Sequence, residues 1–91
     1  MRLLWSPRSW HEYEFWLRQD VSIALKINDL LRDIRRDPFR GIGKPEPLKA
    51  DFHGWWSRRI TGEHRLIYRV IGPKNDRHLE IAQCRFHYRP G

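Results

Sequence analysis

The chain has 91 residues, 40% of them hydrophobic, and carries a net charge of +7 with a pI near 10.3. That length holds one compact domain, residues 1–91, with a small core to which five Trp contribute much of the buried area. No apolar run reaches membrane-spanning length, a single cysteine excludes an intrachain disulfide, and the basic balance points to a polyanionic partner, either nucleic acid or an acidic protein.

The charge is unevenly spread. Residues 1–40 hold eight Lys/Arg and six Asp/Glu, whereas residues 41–91 hold ten and five. Cys84 lies within an apolar strand pattern, as a buried structural thiol does, and its isolation suits a cytoplasmic chain. Met1-Arg2-Leu3-Leu4-Trp5 is too short an apolar stretch for a signal peptide and runs straight into Ser6-Pro7.

Arg2 to Trp5 reads as a short strand. Ser6-Pro7 then starts a helix, with the hydroxyl as N-cap and Pro in the first turn, although Ser9 and Glu12 form a competing capping box. Trp10, Tyr13 and Leu17 share one face of this helix, Trp16 widens the stripe, and all four are expected to pack in the core. Asp20 caps a second helix with Ile23, Ile27, Leu30, Leu31 and Ile34 inward and Lys26, Asp29, Arg32 and Asp33 on a solvated side. Arg35 and Arg36 suit its last turn, and Asp37-Pro38 ends it.

The stretch Gly41-Ile42-Gly43-Lys44-Pro45-Glu46-Pro47-Leu48-Lys49 is an extended loop, since its Gly and Pro residues break helices. The prolines on either side restrict the backbone of Glu46 and so aim its carboxylate, with Lys44 and Lys49 bracketing it. Gly-Ile-Gly-Lys lacks phosphate-loop spacing. Trp55 to Tyr68 reads as a β-hairpin with a turn centred on Gly62. An odd-numbered turn pairs Arg59 with Arg65 and puts both guanidinium groups on one face, either as a phosphate cradle or as a solvated charged surface. Leu66, Tyr68 and Val70 take one face of the second strand, residues 71–77 turn, and residues 78–86 form a last long strand. The expected order is β-α-α-β-β-β, an α+β fold whose antiparallel sheet carries two helices on one face.

The five histidines lack metal-ligand spacing, and neither a dinucleotide fingerprint nor a nucleophile elbow is present. Acid–base chemistry at a phosphate remains. Cleaving RNA through its own 2′-hydroxyl needs a base, an acid and fixed cations for the charged phosphorane. Glu46, His87 and the Arg59/Arg65 pair supply that set if the final strand ends beside the hairpin. His64, in the turn, is the competing histidine, read as stabilising the turn or contacting a partner. Tyr88 adds a stacking surface or a hydrogen-bond donor.

Leu4-Trp5-Ser6, Arg35-Arg36-Asp37-Pro38-Phe39, Gly43-Lys44-Pro45-Glu46-Pro47-Leu48-Lys49, Trp56-Ser57-Arg58-Arg59-Ile60, Glu63-His64-Arg65-Leu66 and Cys84-Arg85-Phe86-His87-Tyr88 together resemble the YoeB/Txe toxins. These belong to the RelE/ParE superfamily of type II toxin–antitoxin systems. The resemblance runs nearly end to end. It implies a ribosome-dependent endoribonuclease that cuts A-site mRNA, with a RelE-like fold akin to microbial ribonucleases. It also implies a cognate YefM/Axe-like antitoxin, a homodimer, operator DNA contacted through the antitoxin, and no cofactor. By matching position, Glu46 would be the general base, His87 the general acid and Arg65 the transition-state cation. Arg59 and Lys49 would bind phosphate, and Tyr88 would orient the substrate.

Two features depart from the family pattern: the Arg89-Pro90-Gly91 extension and a longer turn over residues 72–78. Arg58, facing away from Arg59 and Arg65, reads as structural or partner-binding. The basic surface equally suits a ParE-like topoisomerase inhibitor or a ribosomal-RNA-binding protein. Glu46 separates these readings, because a phosphate binder gains nothing from a carboxylate in a basic site.

Overall fold

The computed structural model of the chain describes residues 1–87. Strand β1 (Arg2–Trp5) leads into helices α1 (Pro7–Gln19) and α2 (Val21–Arg36). Strands β2 (Glu46–Pro47), β3 (Trp56–Arg59), β4 (Arg65–Ile71) and β5 (His78–Gln83) follow, in the sheet order β1-β5-β4-β3-β2. Ile27, Leu30, Leu31 and Ile34 of α2 and Trp16 of α1 meet Leu66, Tyr68, Leu79 and Ile81 of the sheet in one core.

The expected α+β fold is thus present, with two refinements. β1 pairs with β5 in parallel, so the sheet is mixed. A parallel pair needs a long crossover, and here almost the whole chain lies between the two strands. The Gly/Pro loop also contributes a fifth strand, β2, antiparallel to β3. Pro47 is tolerated there because β2 is an edge strand. Gly43, at φ +79°, holds this loop against the hairpin, and a Cβ there would meet Leu30 Cδ2 at 2.8 Å and the Arg59 carbonyl at 3.0 Å.

Both helix starts follow the expected capping. The Ser6 side chain accepts from the Ser9 backbone N–H, and Pro7 opens α1. Asp20 ends α1 and caps α2 through the Ser22 N–H, so no linker separates the helices. The stripe on α1 is different from that expected. Trp10 and Leu17 are 46% and 48% exposed, while Ser9, Glu12 and Trp16 face inward.

Those inward groups satisfy backbone at the end of β5. Ser9 Oγ donates to the Ile81 carbonyl (2.8 Å), Glu12 Oε1 accepts from the Cys84 N–H (2.8 Å), and Trp16 Nε1 donates to the Cys84 carbonyl (2.9 Å). A strand end buried under a helix needs such partners. Trp10 packs at the surface against Trp5 and Tyr13, with ring centroids 5.5 and 5.7 Å away. Cys84 is fully buried, and burial pushes its thiol up to about 12, as a structural cysteine requires.

Asp33 also differs from its expected solvated role. It turns inward to pair with Arg58, which is fully buried. Arg58 Nη1 further donates to the Ile42 carbonyl (3.1 Å), its Nη2 to the carbonyls of Asp37 (2.7 Å) and Arg40 (3.1 Å), and its Nε to Tyr68 Oη (3.1 Å). This structural half of the Arg58 reading fastens the exit of α2 to β3. β5 is shorter than expected, because the chain bends from Cys84 to Phe86 instead of continuing the ladder.

Candidate active site

The turn between β3 and β4 spans five residues, and the register pairs Arg59 directly with Arg65. Both therefore share the sheet face turned away from the helices, opposite to Arg58 and Leu66. The turn is locked from inside: the Thr61 hydroxyl accepts from the N–H groups of Glu63 and His64, both at 3.1 Å. Arg65 Nη1 donates to the carbonyls of Thr61 (2.9 Å), His64 (3.1 Å) and Gly62 (3.3 Å). Its guanidinium is thus fixed along the turn. Arg59 is exposed and its side chain has no hydrogen bond or ion pair among the described residues.

Glu46 sits exposed on β2 opposite Ser57, which pairs with Ile67, which pairs with Gln83. Cross-strand partners share a face, so this row crosses the sheet face turned away from the helices, from Glu46 to the end of β5, roughly 14 Å at ordinary strand spacing. Lys49 is exposed just beyond β2 and begins a single 3-10 turn, Ala50–Phe52. The condition set for His87 is met. The Arg65 N–H donates to the Phe86 carbonyl (3.0 Å), and the Phe86 N–H donates to His64 Nδ1 (2.8 Å). Held at both ends, Phe86 adopts φ +70°, a strained conformation for a bulky residue, and delivers an exposed His87 beside the hairpin.

A cavity of about 780 Å³ opens there, with His87, His64, Gln83, Phe86, Ile67 and Phe52 in its wall. Glu46, Arg59 and Arg65 stand outside that wall on the adjoining sheet face. Tyr88 lies outside the described residues. Gln83 was not anticipated from the sequence, yet its amide donates to the Arg85 carbonyl (3.0 Å) and so helps hold the bend before His87. Ile67 was legible in principle, since it alternates with Arg65 onto the face turned away from the helices. Phe52 had no periodic signal. Among the described residues no three of His, Cys, Asp and Glu stand together as a metal-holding set.

Because His64 Nδ1 accepts from the Phe86 N–H, its proton resides on Nε2 and the ring is neutral. Burial lowers its pKa below the ordinary 6.5, Glu63 opposes the shift, and Arg85, His87 and Arg65 reinforce it. Its fold-stabilising bond is therefore complete above 6.5 and is lost as pH falls through the lowered value, when Nδ1 becomes a donor facing a donor. His64→Ala is expected to cost about 1 kcal/mol and to remove that pH dependence, with His64→Gln restoring part of the stability. Urea unfolding across the acidic range checks this; identical slopes for wild type and His64→Ala would overturn it.

The family model of the YoeB-like toxin of bacterial type II toxin–antitoxin systems matches residues 5–88. The chain belongs to this family. It is accordingly a YoeB-type toxin of a toxin–antitoxin system. Toxin YoeB of Escherichia coli K12 is 54% identical over 88 residues, covering 97% of this chain and all of the relative. A solved YoeB/ParE toxin from Agrobacterium tumefaciens superposes with a TM-score of 0.95 at 58% identity, covering 97% of this chain and all of that one. The YoeB of Staphylococcus aureus, 42% identical, has been solved as a dimer (TM-score 0.87) and as a heterotetrameric YoeB–YefM toxin–antitoxin complex (TM-score 0.85). Each of those comparisons covers 97% of this chain and 98% of the other.

Proposed function

We propose that this YoeB-family toxin is a ribosome-dependent endoribonuclease that cuts mRNA in the ribosomal A site and so stops translation. The observation that carries the reading is the seating of the Phe86–His87 segment on the hairpin. It sets an imidazole beside a face that also bears the Arg59/Arg65 pair and, across the sheet, Glu46.

In this mechanism the Glu46 carboxylate takes the 2′-hydroxyl proton as the 2′-oxygen attacks the adjacent phosphorus. Arg65 holds the charged phosphorane, with Arg59 and Lys49 on the phosphate. The P–O5′ bond breaks as His87 gives its proton to the leaving oxygen. The products are a 2′,3′-cyclic phosphate, opening to a 3′-phosphate, and a 5′-hydroxyl end. Tyr88 follows His87 directly and orients the substrate base. Arg65 suits its role because its guanidinium is fixed before substrate arrives, so little reorganisation is needed at the transition state.

The chain acts as one cytoplasmic domain. A YefM/Axe-like antitoxin and a second copy of the chain are its protein partners, supported by the complex and the dimer of the S. aureus relative. Operator DNA is reached through the antitoxin. Incubating the protein with a defined mRNA, with and without ribosomes, and mapping the 5′ ends tests the reading. The expected result is new 5′-hydroxyl ends at A-site codons, only when ribosomes are present. An uncut message on programmed ribosomes, with supercoiling by gyrase blocked instead, would overturn it.

A further inference from the structure

The end of the sheet far from His87 carries a second cluster of charge. Among the described residues, a shallow groove of about 400 Å³ there is lined by Arg2, Arg35, Lys74, Asn75, Asp76 and Arg77 and otherwise only by Met1. Three separate parts of the chain supply its cations: β1 gives Arg2, the last turn of α2 gives Arg35, and the β4–β5 turn gives Lys74 and Arg77. The one acid, Asp76, is engaged by Arg2 at 3.4 Å. The side chains of Arg35, Lys74 and Arg77 have no hydrogen bond or ion pair among the described residues.

The scaffold beneath these cations is fixed. Gly72 turns at φ +92°, where a Cβ would lie 2.6 Å from the Asp76 carbonyl oxygen. The Asp76 N–H donates to the Pro73 carbonyl (2.8 Å), and the Arg2 N–H donates to the Arg77 carbonyl (3.3 Å). Holding several cations together costs Coulomb energy that a bound polyanion would offset.

We propose that this groove binds the phosphate backbone of ribosomal RNA, as a docking contact separate from the cleavage site. The lining carries the argument. Arg, Lys and Asn are phosphate ligands. Among the described residues no aromatic lines the groove, so bases find nothing to stack on and the contact reads backbone, not sequence. An acidic protein partner would call for an apolar centre, which only Met1 offers here. β5 runs from His78 beside the groove to Gln83 in the cavity wall, so the two sites lie roughly 17 Å apart. That separation lets one molecule hold ribosomal RNA while its other end reaches the message. That the RNA is ribosomal rests on the proposed function; the affinity for RNA backbone does not.

The test measures binding to purified ribosomes by sedimentation, and to a short RNA duplex by fluorescence anisotropy, over a range of salt. Arg35→Gln/Lys74→Gln/Arg77→Gln is expected to bind both more weakly, with a log–log salt dependence shallower by about two to three. Arg77 is half-buried, so Arg35→Gln/Lys74→Gln, confined to exposed positions, provides a second variant and a change of about two. Unchanged binding and salt slope in folded variants would overturn the proposal. So would a loss confined to an acidic peptide such as polyglutamate, which would assign the groove to a protein. If the wild type fails to cut ribosome-bound mRNA but the variants still lose duplex affinity, the function reading fails and the RNA-backbone site stands.

Discussion

Asp33→Ala is expected to destabilise the protein by about 3–5 kcal/mol. The reason lies in Arg58, whose guanidinium is fully buried and has the Asp33 carboxylate as its counter-ion. Removing that carboxylate leaves a charge that water cannot reach, although three carbonyls and Tyr68 Oη still accept from it. Asp33→Asn keeps an acceptor and removes only the charge, so it is expected to cost less. Asp33→Leu/Arg58→Met removes both charges together and should cost less than the sum of the single changes.

Acid provides a second reading of the same contact. The Arg58 hydrogen bond, with help from Arg36 and the Ile42 N–H, lowers the Asp33 carboxyl from 3.8 to about 2. The folded state therefore favours the ionised form. Its contribution is complete above 3.8 and is lost as pH falls toward 2, so Asp33→Ala should flatten the acid limb of the stability curve there. Urea unfolding at neutral and acid pH measures both effects. A neutral-pH loss under about 1 kcal/mol, with an unaltered acid limb, would show that Asp33 contributes no more than an ordinary surface pair.

The Arg58–Asp33 contact also marks where sequence reasoning stops. α2 was legible because Ile23, Ile27, Leu30, Leu31 and Ile34 repeat at helical spacing, and all of these except the half-buried Ile23 are buried. Asp33 sits one position before Ile34 on the polar flank, and nothing local announces a partner 25 residues away. Helix α1 fails the same way. Ser9 and Glu12 form a convincing local capping pair, yet both turn inward because the end of β5 has backbone groups to satisfy. Periodicity reports what is apolar; it does not report which polar group a distant strand end will need.

The hairpin was more tractable. Parity alone sets which residues face together once the turn length is known, and that pairing of Arg59 with Arg65 is observed. The meeting of hairpin and C-terminal segment was conditional, since it depends on a bend at Phe86 with a backbone angle that no residue pattern specifies. The Glu46 row is similar: β2 is two residues long, and its pairing with β3 requires Gly43 to pass close to Arg59. Glycine spacing hinted at a loop there, not at a strand edge.

His87→Ala is expected to slow cleavage of ribosome-bound mRNA by about 100- to 10,000-fold while leaving the unfolding midpoint unchanged. The side chain is exposed, and the bond that seats its segment belongs to the backbone of Phe86, so truncation removes the proposed proton donor without removing a support. Glu46→Gln should match that loss for the complementary reason: the amide keeps the shape of the carboxylate but cannot accept the 2′-hydroxyl proton. Arg65→Lys separates charge from geometry, because a lysine retains one cation yet cannot reproduce the fixed guanidinium that spans three turn carbonyls. A folded His87→Ala protein cutting at the wild-type rate would overturn the proposed role of His87. His64 is then the wrong replacement, since its Nδ1 is already occupied by the Phe86 N–H and its neutral form is what the fold prefers.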